Sequence, residues 1–95
     1  MIDIICTQRI KSGMEARAEK VLREAEKETL ARDKGCERYE WYRSEEPSTY
    51  ILIERWTDRE SALAHLQSAH ITRILKELAE LAPKKFAINR LTRLE

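Results

Sequence analysis

Thr49-Tyr50-Ile51-Leu52-Ile53-Glu54-Arg55-Trp56 is the stretch on which the fold turns. Its β-branched and aromatic content reads as a strand. Successive side chains of a strand point to opposite faces. Ile51 and Ile53 therefore share one face, and Tyr50, Leu52, Glu54 and Trp56 share the other. Both faces are apolar or aromatic, whereas an antiparallel sheet with one wet face alternates cleanly between apolar and polar. Each face of this sheet needs cover.

Upstream, residues 36–43 read as a second strand, and Ser44-Glu45-Glu46-Pro47-Ser48 as the turn of a hairpin. Residues 2–10 form a further strand, with Ile2, Ile4, Cys6 and Ile10 alternating against polar neighbours. Ser12 and Glu15 have the spacing of a capping box. Met14, Ala18, Val21, Leu22 and Ala25 then recur at helical spacing, predicting a helix over 13–33 that Gly35 stops. Downstream, Asp58 or Thr57 caps another helix with Ala62, Leu63 and Leu66 on its apolar side. Gln67-Ser68 interrupts the pattern, and Ser68 can act as a new cap. Ile71, Ile74, Leu75, Leu78 and Leu81 continue the stripe until Pro83. Residues 85–94, with Phe86 and Ile88 on one side, complete the set as a last strand. The order β-α-β-β-α-β predicts an α+β, ferredoxin-like split: a four-stranded antiparallel sheet with helices on one face. Ninety-five residues make one domain and leave nothing to cover the other face. The economical cover is a second copy, a homodimer through the sheet face.

Charge narrows the partners. Charged residues are 37% of the chain, yet 18 Lys+Arg against 17 Asp+Glu leave only +1. No long-range field draws in nucleic acid or an anionic membrane. No apolar run reaches the roughly 18 residues of a membrane span. Met1-Ile2-Asp3 offers no basic signal region, so a cytoplasmic protein is expected. Cys6 and Cys36 form no CxxC and read as buried free thiols of a reducing compartment.

The chemistry concentrates in Glu54-Arg55-Trp56-Thr57-Asp58 and His65-Leu66-Gln67-Ser68-Ala69-His70. Histidine is the side chain most readily poised as acid or base near neutral pH. Trp56 offers a flat apolar wall with one donor. Glu54, among Tyr50, Leu52 and Trp56, is a candidate base. Tyr39, Trp41 and Tyr50 are candidate aromatic contacts for a ligand, and Tyr39, Trp41 and Tyr42 also read as interface aromatics. Each residue also has a structural reading: a histidine in a hydrogen-bond network, Trp56 as core, Glu54 paired with Arg9 or Arg90. His65 and His70 stand five residues apart, about 140° around a single helix. They do not share a face as the histidines of HExxH do. A kink at Gln67-Ser68 could bring them together, but no ligand cluster supports it, so no metal is expected. There is no glycine-rich phosphate loop, GxSxG or RNP signature.

These two runs, with Gly35-Cys36 ahead of the second strand, Tyr39 and the Ser44-to-Pro47 turn, resemble the antibiotic-biosynthesis monooxygenase domain family, above all its quinol monooxygenase branch. The likeness spans nearly the whole chain. It implies a dimeric α+β barrel that oxidises a quinol or related electron-rich aromatic with O₂, without metal, flavin or haem. The substrate supplies the electrons, while the protein removes a phenolic proton, stabilises the carbanion and excludes water. On this resemblance His65 or His70 is the base, Glu54 orients it, and Trp56 stacks on the substrate ring. Haem-degrading relatives carry an Asn where Cys6 stands, a Trp near His65 and a His about where Leu75 lies. This chain has none of the three. Other relatives isomerise small phosphorylated metabolites, and others are without known activity. An isomerase and a non-catalytic ligand-binding or stress-related dimer are therefore the alternatives.

Overall fold

The computed structural model describes residues 1–83 and 87–94. In chain order the elements are β1 (Ile2–Arg9), α1 (Glu15–Arg32), β2 (Cys36–Arg43), β3 (Thr49–Trp56), α2 (Arg59–Leu66), α3 (Ala69–Leu81) and β4 (Ala87–Leu91). The strands form one sheet in the order β2-β3-β1-β4, with every pair antiparallel. This is the ferredoxin-like arrangement, with the second helical segment divided in two.

Register decides what lies under the helices. Across the sheet, Tyr39, Glu54 and Ile4 form one row, and Trp41, Leu52 and Cys6 the next. Tyr39, Cys6, Leu52 and Trp56 are almost wholly buried. They pack against Ala18, Val21, Leu22 and Ala25 of α1 and against Ile71, Ile74, Leu78 and Leu81 of α3. That three- and four-residue spacing is what turns one helical face inward. Each large aliphatic side chain so buried contributes about 1.5–3 kcal/mol.

The opposite face carries Ile5 beside Ile53, and Thr7 and Tyr42 on either side of Ile51. Tyr42 is 44% exposed and the three isoleucines are half-buried. Asp3–Arg55 and Arg38–Glu40 ion pairs frame this apolar strip. The two-sided apolar character read from β3 is thus present, with the Tyr50–Trp56 face taken by the helices.

Three local expectations change. Ser12 does not cap α1: the helix begins at Glu15 with no side-chain cap bond. The Glu15 carboxylate instead accepts the Gly13 N–H at 2.7 Å and the Ser48 hydroxyl, tying the helix start to the β2–β3 turn. The second helical stripe is two helices, because Asp58 caps α2 through the Ser61 N–H (2.7 Å) and Ser68 caps α3 through the Ile71 N–H (3.4 Å). β4 is described over Ala87–Leu91 and does not extend to residue 94 as expected, while positions 85 and 86 of the expected strand, Phe86 among them, lie outside the described residues. Among the described residues, no helix is long and apolar enough to cross a membrane.

Candidate active site

A cavity of 350 Å³ lies between the helices and the sheet. Its walls are mostly aliphatic, from Ile4 and Leu52 on the sheet to Ile71 and Ile74 on α3. Tyr39, Trp41, Trp56, Glu54 and His65 also line it. Apolar walls with a few convergent polar groups are the usual composition of a small-molecule site.

His65 sits in the last turn of α2 and is 4% exposed. Its ring lies 4.7 Å from that of Trp56 and meets the Tyr39 ring edge-on at 5.2 Å. Its Nδ1 is 2.5 Å from Oδ2 of Asp33, and Nε2 of His70 reaches the same oxygen at 3.0 Å. An ionised carboxylate only accepts hydrogen bonds. The facing nitrogens therefore carry the protons, and the lone pair of a neutral His65 ring sits on Nε2. Nε2 has no hydrogen-bond partner among the described residues. The Ser68 hydroxyl donates to the His65 carbonyl at 2.6 Å and stands 3.3 Å from Nε2 of His70.

The two histidines converge, contrary to the single-helix expectation. The break at Gln67-Ser68 puts them on different helices, so the 140° separation does not apply, and their ring centroids are 6.3 Å apart. Only His65 lines the cavity; His70 stands behind it on Asp33.

Asp33 escaped the sequence reading because it looks like one more charge at the end of an amphipathic helix. The local signal was Gly35. Its φ is +79°, and a Cβ there would lie 2.3 Å from Ser61 Oγ and 2.7 Å from Thr57 Oγ1. Only glycine permits that backbone and that approach. The Thr57 N–H donates to the Gly35 carbonyl at 2.8 Å. The α1–β2 connection is thereby pressed onto the start of α2, which brings Asp33 to His65.

Glu54 does not orient a histidine. One oxygen accepts the Trp56 indole N–H at 2.9 Å and the other the Cys6 thiol at 3.4 Å. It fixes the Trp56 ring, against which His65 packs at an interplanar angle of 41°. Arg9, one of its alternative partners, pairs with Glu46, while Arg90 is exposed. Burial, reinforced by the nearby Glu54 charge, pushes the Tyr39 phenol and the Cys6 thiol above their ordinary values. Both stay protonated at neutral pH. Trp41 lines the cavity, and its indole N–H is buried without a hydrogen-bond partner among the described residues. Tyr50 does not line the cavity: its hydroxyl donates to Glu19 at 2.7 Å, beside Arg43 on the same carboxylate. It anchors α1 to the sheet.

The fold has many solved counterparts. An antibiotic biosynthesis monooxygenase superposes with a TM-score of 0.92 at 20% identity, over all of both chains. A conserved protein of Methanosarcina mazei Go1 gives 0.90 at 26% identity, over 98% of this chain and 92% of that one. A Mycobacterium tuberculosis protein gives 0.90 at 22%, over 99% and 95%. No functionally curated protein matches the chain in sequence. The family model described as antibiotic biosynthesis monooxygenase matches residues 1–77. The chain belongs to the antibiotic biosynthesis monooxygenase family.

Proposed function

We propose that this protein is a cofactor-independent monooxygenase acting on a quinol or a related electron-rich aromatic. The observation that carries the reading is His65: buried against Trp56, held through Nδ1 by Asp33, and lining an apolar cavity. Nε2 takes the phenolic proton of the substrate. Asp33 holds the ring in that tautomer and stabilises the imidazolium that forms. A flat ring lies between the aliphatic walls near Trp56 and Trp41, and those walls keep water from the developing anion. The electron-rich anion then reduces O₂. One oxygen atom forms a new C–O bond on the ring, the O–O bond breaks, and the other atom leaves as water. The four electrons come from ring hydroxylation and from oxidation of the quinol to the quinone.

The strip of Ile5, Ile51, Ile53 and Tyr42 supports a homodimer in which two sheets pack face to face. The test of the function is oxygen uptake with a reduced naphthoquinone. Wild type is expected to consume one O₂ per quinol, and the His65→Ala, His70→Ala double variant to lose this by roughly 10²–10⁴-fold. Equal uptake in the folded double variant contradicts the proposal. Conversion of substrate without oxygen loss would instead mark an isomerase.

A further inference from the structure

The geometry points to a second occupant for the His65–Asp33–His70 cluster: a divalent transition-metal ion, with zinc the best match, that switches His65 off as a base. The binding claim stands on the cluster alone; the switching claim rests on the function proposed above.

Asp33, His65 and His70 each offer one ligand atom, and these atoms lie within 4.8 Å of one another. The side chains are only 11, 4 and 13% exposed, so the site is largely dry. Two imidazoles and a carboxylate form the donor set of many zinc sites that leave one position open. Zinc bonds to such ligands at about 2.0–2.2 Å, so tetrahedral ligands stand roughly 3.3 Å apart. Here Asp33 Oδ2 is 2.5 Å from His65 Nδ1 and 3.0 Å from His70 Nε2. The two Asp33 contacts need sub-ångström widening, and the two histidine nitrogens, within 4.8 Å of one another, must settle to the same spacing for the ion to seat. The three residues come from three separate segments: the end of α1, α2 and α3. They can therefore move apart without bending a helix. A hard ion such as magnesium prefers oxygen ligands and does not suit this set.

The consequence for His65 follows from its two nitrogens. A metal on Nδ1 displaces the proton there, and a neutral ring must then carry its proton on Nε2. That proton moves from one nitrogen to the other by way of solvent. Nε2 becomes a donor, and the lone pair facing the cavity is lost.

The experiment is calorimetric titration of the full-length protein with zinc chloride, with magnesium chloride as control. One zinc per chain is expected, weakened at least tenfold in both His70→Ala and Asp33→Asn, with no magnesium binding. Should either variant fail to fold, the imidazole ¹⁵N shifts of wild type decide, because zinc must move those of both His65 and His70. Absence of binding up to ~1 mM zinc, undiminished binding in the folded variants, equal binding of magnesium, or unmoved shifts would each overturn the site. In parallel, zinc should abolish quinol-dependent oxygen uptake and a chelator restore it. Zinc bound at the cluster with uptake unaffected overturns the switch and leaves the site standing. Absent uptake in the metal-free protein sinks the proposed function, and the switch with it, without touching the binding result.

Discussion

Nδ1 of His65 stands 2.5 Å from Oδ2 of Asp33 across 32 residues of sequence. The contact joins the end of α1 to the end of α2, and under the proposed function it leaves the other ring nitrogen to act as the base. Asp33→Asn keeps the shape but removes the charge and allows the opposite tautomer. It is expected to lower kcat about 10²-fold or more with little change in KM, read by oxygen uptake with a reduced naphthoquinone.

Gly35→Ala should damage both fold and site. The added methyl meets Ser61 and Thr57 at a φ of +79°, and the whole α1–β2 connection must shift. Urea unfolding is expected to show a loss of about 2–4 kcal/mol. The tilted His65–Trp56 contact should loosen as well, visible as a change in tryptophan fluorescence.

Glu54 is tested by a pair of substitutions. Glu54→Gln retains an acceptor for the Trp56 indole, whereas Glu54→Ala leaves that buried N–H unpaired. The alanine variant should be less stable than the glutamine variant by about 1–3 kcal/mol in chemical denaturation.

The open sheet face supplies a prediction about assembly. Ile53→Glu places a charge among Ile5, Ile51 and Tyr42 and should weaken a face-to-face dimer on the order of 10²-fold. Sedimentation velocity would show monomer at concentrations where the unmodified chain is dimeric.

Glu19 links stability to acid. Hydrogen bonds from Arg43 and Tyr50 lower its pKa from the ordinary 4.5 to about 2. A depressed folded-state value means that the contribution is fully present above pH 4.5 and is lost as pH falls toward 2. The melting temperature of wild type should therefore exceed that of Glu19→Gln at neutral pH. The gap should close between pH 4.5 and 2.

Much of this architecture is legible in the residues themselves. Period-2 and helical patterns mark β1, β3, α1 and α3 well, because each buries one face. The expected apolar side of α2 does not follow suit: only His65 is buried there, Leu63 and Leu66 are exposed, and β4 is exposed along its length. The caps at Asp58 and Ser68 are local hydrogen bonds and so are readable locally. The Ser12–Glu15 box is not borne out, because Glu15 has a better partner in Ser48, 33 residues away. The same limit governs the site. Glu54, Trp56 and His65 stand in a recognisable run, and all three reach the cavity. Tyr50 shares their strand face but lies at the other end of it, beside Glu19. Asp33 carries no local mark beyond the nearby Gly35, since its meaning comes from a tertiary contact. The convergence of His65 and His70 depended on a helix break that the interruption at Gln67-Ser68 did signal.

In the proposed reaction His65 takes a proton from the substrate, and that step can be watched without oxygen. Anaerobic rapid mixing with a reduced naphthoquinone should produce the absorbance of the quinol anion in the wild-type protein. In His65→Ala, with fold and ligand affinity retained, that signal should be absent. Formation of the anion to the same extent in His65→Ala would contradict a role for His65 as the base.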